Sequence, residues 1–511
     1  MFWILLSTAL VLFIHFVLIK PFTHWSRRNI PQSSVLFFWK SIFKSFKNPK
    51  SFAEKFQDLY SSYTNQRYVA TYQLHIPALL LLEPDLIKQI TVKDFDHFED
   101  HNQIILNEPL WQKNLTALKG DQWREMRATL SPSFTSSKMK MMFGLMCECA
   151  QQFVDHFLKK NEETVSLEMK ETFSRYTTDV IASVAFGIKC DSLKDPENEF
   201  YTKGKTAVNF MGIKFLLIFL FPRISSFLGI KVFTAEVSQF FSKIIKDTLE
   251  YREREGVVRL DMIHLLMQAR KGKLKDESSN TESSAEEVEK YKTLTDEDII
   301  AQALVFFLGG FDSVSSGMSF VAYELAVNPD IQKRLQEEID ETIHSQGTIT
   351  YDSLMKMKYL DMVISESLRK WPTTIATDRV CVKPYTIEPT QPGEKPIHLK
   401  EGDLMTIPIY AIQRDPRFYS DPDVFNPERF SEENKSSINP YTYLTFGTGP
   451  RSCIGNRFAI LEMKTIIFYV LSKFDIVTVK KTVIPLQLGN NPVNLNAKDG
   501  FWLGLKPRVS A

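Results

Sequence analysis

The feature that most limits the fold is one long apolar segment that runs from Thr295 to Pro329. Thr295 is a suitable N-cap, and Asp298 three residues later gives a capping-box pattern with negative charge at the helix start. Asn328 and Pro329 end the pattern. About thirty residues at about 1.5 Å each give a helix of about 45 Å, apolar nearly all round in its middle. The sequence therefore predicts a buried central helix that crosses a large helical domain.

Small and polar residues interrupt the middle of this helix. Gly309 and Gly310 each cost about 1 kcal/mol relative to alanine, and Asp312 and Ser313 need hydrogen-bond partners where they are buried. Small residues allow two helices to pack closely, which is the better explanation for such a stretch on its own. The alternative is that a ligand approaches the helix backbone at this point.

The rest of the chain favours one large domain that is mainly α-helical with a smaller β region. Of its 511 residues 44% are hydrophobic, and neither an internal repeat nor a Gly/Ser-rich linker divides the sequence. Strand-like patterns occur at Tyr68–Ile76 and Asp403–Tyr410. The 62 basic and 61 acidic side chains nearly cancel, so bulk charge provides no attraction to nucleic acid, and no nucleic-acid partner is expected.

The cysteines indicate a reducing compartment. Their number is odd and they lack CxxC spacing, which argues against a disulfide framework and against a structural zinc site. They are Cys147, Cys149, Cys190, Cys381 and Cys453.

The N-terminus predicts a transmembrane anchor over residues 1–20. Its apolar run, Phe2 to Ile19, contains no Asp, Glu, Lys or Arg and has the length of a tilted bilayer span. A cleaved signal peptide is the alternative, but the run exceeds the usual hydrophobic region and no basic residue precedes it. By the positive-inside rule, the basic, proline-containing linker at 21–31 places the domain at 32–511 on the cytosolic side.

Two further segments have an unusual composition. The polar segment Lys271–Thr293 is of low complexity and is expected to form a mobile surface loop, with no function that its sequence assigns. The apolar segment Met211–Pro222 is too short to span a bilayer. It fits a buried core helix and a surface element that dips into the membrane interface equally well.

Acidic and basic residues occur at two places with a spacing that permits ion pairs. Glu366 and Arg369 lie three residues apart on one helical face. Glu428 and Arg429 follow in a proline-rich segment, and the second arginine could complete a buried carboxylate network. Each pattern is common on solvated surfaces and indicates little by itself.

The most specific pattern is the ten-residue stretch FGTGPRSCIG, which has the form FxxGxRxCxG. A chance match somewhere in a chain of this length has a probability on the order of one in ten thousand. A small buried hydrophobe is the usual role of a lone cysteine. The residues in register are Phe446, Gly449, Arg451, Cys453 and Gly455.

This stretch resembles the haem-ligand signature of the cytochrome P450 family, the haem-thiolate monooxygenases. The stretches GGFDSVSS, ESLR, NPERF and WREMR resemble other motifs of that family in order and spacing, so the resemblance runs from about residue 32 to the C-terminus. SLRKWPTT, DGFWLGLKPR and WREMRATLSPSFTSSKM are most similar to insect microsomal enzymes of families six and nine. The resemblance implies the cytochrome P450 fold, mainly α with a smaller β region, preceded by a membrane helix.

The resemblance also assigns the metal ligand and the proton-delivering pair. Cys453 would bind the haem iron as a thiolate, which favours O–O cleavage, and glycines would let backbone N–H groups point at its sulfur. Asp312 and Ser313 would help to deliver protons during oxygen activation. Gly309 replaces the alanine that is usual in the family, and Ser313 replaces the usual threonine. Serine lacks the methyl group that restricts the rotamer of threonine, so proton delivery by Ser313 is expected to be less well coupled to oxidation of the substrate.

The other implied site residues bind the cofactor or support the cysteine loop. Arginines neutralise haem propionates with bidentate geometry, and a set of this kind is expected here. The expected haem contacts are Trp123, Arg127, Gly309, Gly310, Arg379, Phe446, Arg451, Cys453 and Gly455. The expected structural triad behind the loop is Glu366, Arg369 and Arg429.

The resemblance implies a monooxygenase that inserts one atom of O2 into an apolar substrate. It would use haem b and NADPH electrons from NADPH–cytochrome P450 reductase, with cytochrome b5 as a second candidate partner, because the chain has no GxGxxG fingerprint. It would contact membrane lipid in the endoplasmic reticulum, with its domain on the cytoplasmic face. The pocket is expected to be apolar and to be lined by Leu110–Leu118, Phe210–Phe221, Phe306–Ser313, Thr373–Thr377 and Leu488–Val493.

Xenobiotics such as insecticides or plant toxins are the expected substrates, with an endogenous lipid or hormone as the alternative. An oxygen-independent isomerase or dehydratase and a non-catalytic haem binder on the same fold are further alternatives. Asp312 and Ser313 argue against both, because neither activity needs protons delivered to oxygen.

Overall fold

The computed structural model describes residues 50–73, 76–102, 108–208, 221–259, 261–270, 294–491 and 493–508, with isolated positions 3, 7–8, 23–25, 30, 214 and 217–218. Most of the predicted anchor, most of the linker, all of the polar segment 271–293 and most of the apolar segment 211–222 lie outside these residues.

Helices make up most of the described structure. They are α1 (Phe52–Ser61), α2 (Pro84–Lys88), α3 (Pro109–Gln112), α4 (Gly120–Leu130), α5 (Ser136–Leu158), α6 (Met169–Ile181), α7 (Glu199–Ala207), α8 (Pro222–Phe227), α9 (Ala235–Glu255), α10 (Met262–Arg270), α11 (Asp296–Gly309), α12 (Ser315–Val327), α13 (Pro329–Gln346), α14 (Tyr351–Lys356), α15 (Lys358–Lys370), α16 (Ile409–Ile412) and α17 (Asn456–Lys473). Short π-helical segments are Gln89–Lys93, Ala182–Phe186 and Gly310–Val314, and 3-10 turns are Phe95–His97, Ser131–Phe134, Pro427–Phe430 and Lys435–Ser437.

The strands form three small sheets. They are β1 (Tyr68–Gln73), β2 (Ile76–Leu81), β3 (Val165–Glu168), β4 (Thr377–Val380), β5 (Tyr385–Ile387), β6 (Ile397–Leu399), β7 (Leu404–Ile407), β8 (Phe474–Thr478) and β9 (Trp502–Pro507). The largest sheet has the order β1-β2-β7-β4, in which only the β2–β7 pair is parallel. The antiparallel sheet β3-β9-β8 joins the C-terminus to the segment before α6, and β5 pairs with β6.

The predicted central helix is present, and so is its capping box. The Thr295 hydroxyl accepts a hydrogen bond from the Asp298 N–H, and the Asp298 carboxylate accepts one from the Thr295 N–H. The helix is not uniformly α, because a π-helical segment, Gly310–Val314, separates α11 from α12. Side chains compete for its carbonyl groups, since the Asp312 carbonyl accepts a hydrogen bond from Lys170.

The main hydrophobic core forms around this helix and includes buried side chains from α5, α6, α9, α12, α15 and α17. A second apolar cluster lies around β1, β2 and β7. Among the described residues, one helical run, Asp296–Val327, is long and apolar enough to cross a bilayer, and 67% of its most apolar window is buried within the protein. That burial is typical of a core helix. The architecture confirms the predicted fold class.

Candidate active site

The cysteine loop between Phe446 and Gly455 is a tight turn that requires glycine. The Cys453 N–H donates to the Phe446 carbonyl over 2.8 Å, which closes the loop. Gly449 has a φ of +74°, and a Cβ at this position would lie 1.9 Å from the Thr91 carbonyl oxygen. A side chain at position 449 would therefore push the loop away from the segment it packs against.

The Cys453 thiol lies in a recess. Its side chain is exposed, whereas the described cysteines at 149, 190 and 381 are buried. Protein nevertheless surrounds the sulfur closely enough that burial raises the pKa of the thiol. A hydrogen bond from the Gly455 N–H and the positive charge of Arg127 act in the opposite direction. The sulfur thus has a backbone donor and a cation beside it, but burial keeps it from ionising readily unless something replaces its proton.

Phe134 connects the cysteine loop with the central helix. Its ring packs edge-on against Phe306 of α11, with 5.3 Å between the ring centres. A Cβ built on Gly455 would lie 3.9 Å from the Phe134 ring. Phe306, Gly309 and Ser313 follow one another on one helical face. Phe134 therefore links the cysteine loop to the part of the central helix that contains Gly309 and Ser313.

The two glycines of the central helix have different surroundings. Gly309 is exposed, and a Cβ built on it would meet nothing within 4 Å. A Cβ on Gly310 would lie 2.8 Å from the side chain of Ile181 in α6. Gly309 fits the expectation that a ligand approaches the helix backbone. Gly310 serves the close packing of two helices, and its haem contact stays a prediction.

The predicted acid and alcohol are both half-buried and both have partners. The Ser313 hydroxyl donates to the Gly309 carbonyl one turn earlier. The Asp312 carboxylate accepts hydrogen bonds from Lys170 and from Asn494, each over 2.8 Å. The acid is therefore fixed by residues from two distant parts of the chain.

Two predicted cofactor residues, Arg127 and Trp123, contact the cysteine loop. Arg127 donates to the Ser452 carbonyl over 2.9 Å, and burial lowers the pKa of its guanidinium. The Arg451 guanidinium stacks over the ring of Trp123 at 4.0 Å. Trp123 also contacts Phe95, so the indole is held on two sides.

Arg451 donates most of its hydrogen bonds to backbone carbonyl groups. It donates to Glu99 over 2.7 Å, to Leu118 over 2.8 Å and to Leu115 over 3.3 Å. Burial lowers the pKa of this arginine to about 10, against the opposing charge of Asp100. Arg451 thus joins the cysteine loop to the predicted pocket segment Leu110–Leu118, which the sequence did not predict. Few of its N–H groups remain free to donate to a haem propionate.

Arg379 is a buried cation with an incomplete set of partners. It is 1% exposed, and its Nε is a buried donor without a hydrogen-bond partner among the described residues. Its other donors reach the carbonyl groups of Asp378 over 2.6 Å and Thr448 over 3.4 Å. Burial lowers the pKa of Arg379 to about 10, with only partial compensation by Asp378. A guanidinium in this state is suited to an added carboxylate.

The structure brings the predicted triad together in a buried network. Arg369 donates to both carboxylate oxygens of Glu366, over 2.7 and 2.9 Å, and Arg429 donates to one of them over 3.3 Å. Arg369 also donates to the Gln413 carbonyl, and the Gln413 side chain accepts from the Leu444 N–H just before the cysteine loop. The triad is therefore tied to the base of that loop.

Three residues of the site were not predicted from the sequence: Lys170, Asn494 and Phe134. Lys170 and Asn494 lie 142 and 182 residues from Asp312, so no local spacing pointed to the pairing. Phe134 lies within a stretch that resembles a known motif, but no charge or hydroxyl marked it. Only the tertiary structure places these residues at the site.

The described residues fit a haem group. Cys453 offers one soft sulfur ligand, Gly309 leaves the facing helix without a side chain, and Arg379 needs an anionic partner. Cys453 would hold the iron, while Arg379, Arg127 and Trp123 would hold the propionate side.

Comparison with known proteins gives the same family. A family model described as Cytochrome P450 matches residues 31–502. The chain is 44% identical to "Cytochrome P450 9e2" of Blattella germanica over 95% of this chain and 94% of that protein. It is 41% identical to "Probable cytochrome P450 9f2" of Drosophila melanogaster, over 88% of each chain. It is also 34% identical to "Cytochrome P450 3A18" of Rattus norvegicus, over 96% of this chain and 95% of the relative.

Proposed function

Because this chain belongs to the cytochrome P450 family, we propose that it oxidises neutral, apolar xenobiotics such as insecticides or plant toxins. Its family makes it a monooxygenase with haem b as cofactor and with NADPH-derived electrons supplied by a reductase. The haem, when bound, supplies the activation of O2. The substrate class, the named partners, the location and the roles of individual residues are our proposals.

The observation that carries the proposal is the recessed Cys453 thiol in a loop that Phe134 joins to the central helix. A thiolate ligand favours oxygen activation over simple oxygen carriage. The Gly455 N–H and Arg127 act on the sulfur in the direction that stabilises a thiolate. In our proposal Cys453 would hold the haem iron through its sulfur, and Phe446 and Gly455 would shape the loop around it.

The proton-delivering role is assigned to Asp312 and Ser313. The Ser313 hydroxyl, one turn after Gly309, can donate a proton, and the Asp312 carboxylate can transfer a new proton from solvent to that hydroxyl. Ser313 donates to the Gly309 carbonyl, a contact from which it must rotate before it can donate elsewhere. We expect Ser313→Ala to keep the haem but to send more NADPH consumption to hydrogen peroxide, whereas Ser313→Thr should couple at least as well as the parent. Equal coupling in Ser313→Ala would contradict this role.

The substrate class follows from charge. Within the described parts of the predicted lining segments, the charged side chains are Lys113, Lys214 and Asp312. Lys113 contacts Glu297, and Asp312 contacts Lys170. Lys214 is exposed and donates to the Val232 carbonyl over 3.4 Å. None of the described lining cations is therefore a buried charge that lacks a partner, which a fatty-acid carboxylate would need because its own burial is costly. The lining favours neutral apolar molecules over charged lipids.

The proposed location is the endoplasmic reticulum membrane, with the domain on its cytoplasmic face. Most of the predicted anchor lies outside the described residues. Support comes from α8 and the residue after it, where three large apolar side chains are exposed: Ile224, Phe227 and Leu228. Phe227 is 89% exposed, which is unusual for a phenylalanine unless a membrane or a partner covers it. NADPH–cytochrome P450 reductase is the proposed electron donor, and cytochrome b5 is a second candidate.

Two measurements test this function. The first is the change in haem absorbance when insecticides, plant toxins and fatty acids are each added to the protein. The second is NADPH-dependent product formation after addition of reductase. We expect neutral apolar compounds to bind and to be oxidised. Binding of fatty acids alone would refute the proposed substrate class, and product formation without O2 would refute monooxygenase chemistry.

A further inference from the structure

The Asp312 carboxylate is held at both of its oxygen atoms. Lys170 Nζ donates to Oδ1 over 2.8 Å, and Asn494 Nδ2 donates to Oδ2 over 2.8 Å. Lys170 is the second residue of α6, and Asn494 lies near the C-terminus of the chain. The carboxylate therefore joins three elements that are far apart in sequence.

Lys170 directs all of its donors at the π-helical segment and the residue that follows it. Its ammonium donates to the Asp312 carbonyl over 2.8 Å, to the Asp312 carboxylate over 2.8 Å and to the Ser315 hydroxyl over 2.6 Å. An ammonium has three donors, so this set is complete. Burial lowers the pKa of Lys170, and the charge of Asp312 is the largest influence that opposes the shift. The charge of Lys170 thus depends on Asp312.

Asn494 is itself fixed in place. Its backbone N–H donates to the Asn491 side chain over 3.1 Å, and it pairs with Thr374 in an isolated β-bridge. The next residue, Leu495, donates its N–H to the Thr373 carbonyl over 3.0 Å. Two predicted pocket segments, Thr373–Thr377 and Leu488–Val493, are therefore tied together next to the amide that holds Asp312.

We propose that Lys170 and Asn494 are positioning residues for proton delivery, because together they fix the direction in which the Asp312 carboxylate points. This proposal rests on the proton-delivering role proposed for Asp312. Loss of Lys170 leaves a partly buried carboxylate without its counter-ion, and loss of Asn494 leaves Oδ2 without its donor and free to turn. In either case the Asp312 carboxylate spends less time in the orientation from which it can transfer a proton to the Ser313 hydroxyl.

The effect can be measured without knowing the natural substrate. In substrate-free turnover, O2 and one NADPH with one proton give one hydrogen peroxide, whereas O2 and two NADPH with two protons give two water molecules. The amount of hydrogen peroxide per NADPH consumed therefore rises when proton delivery fails. The assay uses the full-length, haem-loaded protein with added reductase in lipid vesicles.

The variants separate a positioning role from a structural one. We expect Asp312→Asn to raise the peroxide share, and Lys170→Met and Asn494→Leu each to give at least half of that rise. Lys170→Arg retains the charge and should recover most of the parent value. Lys140→Met, which breaks an exposed ion pair with Asp352 outside the site, should leave the share unchanged. The solvent isotope effect on NADPH consumption in D2O should change in the first three variants only.

A second readout does not depend on turnover. Amide hydrogen exchange across residues 310–315 should become faster in Lys170→Met, because that variant removes a side-chain bond to the Asp312 carbonyl. The spectrum of the reduced, CO-bound haem shows which variants retain the native site, and Asn494→Leu carries the test if Lys170→Met fails to fold.

Two results would overturn the inference, and they can be told apart. If Asp312→Asn raises the peroxide share while Lys170→Met and Asn494→Leu keep the parent share and isotope effect, the two residues only pack the helices. If Asp312→Asn itself keeps the parent share, the proposed role of Asp312 is wrong, and the positioning role fails with it.

Discussion

Replacement of Glu366 by glutamine should destabilise the domain strongly, although the two side chains have nearly the same shape. Both Glu366 and Arg369 are completely buried. The Glu366 carboxylate accepts two hydrogen bonds from Arg369, one from Arg429 and one from the Asn426 N–H. Two guanidinium groups therefore depend on this one carboxylate.

The size of the effect follows from what the amide cannot do. Glutamine can keep the oxygen that Arg369, Arg429 and Asn426 share, but its NH2 group then faces the Arg369 Nε, which is also a donor and lies only 2.7 Å away. One charge-assisted hydrogen bond is lost and Arg369 keeps its charge in a buried site. Breaking a buried pair in this way costs about 3–5 kcal/mol, out of a typical total of about 5–15 kcal/mol.

The assay is thermal unfolding of the haem-loaded domain, followed by both haem absorbance and far-ultraviolet circular dichroism. For about 480 residues the unfolding entropy is about 1 kcal/mol/K, so the midpoint should fall by about 3–5 °C. Glu297→Gln is the matched control, because Glu297 also pairs with a basic residue but is 67% exposed, and its midpoint should not change. Equal midpoints for Glu366→Gln and the control would refute the argument that the network is held by charge.

Three further predictions follow from single positions. Gly449→Ala should prevent haem incorporation, since its Cβ would overlap the Thr91 carbonyl oxygen. Gly455→Ala is the control and should retain more haem, because its Cβ would lie 3.9 Å from the nearest atom, in the Phe134 ring. Equal loss of haem in both variants would contradict the close approach at Gly449. Burial raises the pKa of Asp179 to about 6. The folded state therefore binds more protons than the unfolded state between about pH 4 and 6, and the free energy of unfolding should fall as the pH rises through that range. Asp179→Asn should abolish this slope in unfolding titrations, and an unchanged slope would assign it to other groups. A protein that lacks residues 2–20 should still sediment partly with lipid vesicles and be released by Phe227→Asp; complete solubility before the substitution would exclude the second membrane contact.

The central helix and the cysteine loop could be predicted because their determinants are local. The Thr295 capping box depends on residues three positions apart, and the loop pattern lies within ten residues. Local spacing of this kind is visible in a sequence. The mainly helical fold followed from the same evidence.

The partners across the site could not be predicted, because they depend on the tertiary structure. Nothing in the sequence near Gly310 shows that Ile181 will lie against it, and nothing near Arg451 shows that its donors will reach Leu115 and Leu118. The partners of Asp312 are equally remote. The sequence therefore predicted which residues have chemically useful groups, and the structure was needed to find what holds them.

The most direct test of the account is the absorbance of Cys453→His after reduction and addition of CO. Cys453 would hold the haem iron as a thiolate, and the nature of this ligand sets the electronic properties of the iron. The parent should give the long-wavelength band of a thiolate-ligated haem. Cys453→His should lose that band, whether it binds haem through the imidazole or not at all. If the band persists in Cys453→His, Cys453 is not the ligand and the proposed site is wrong.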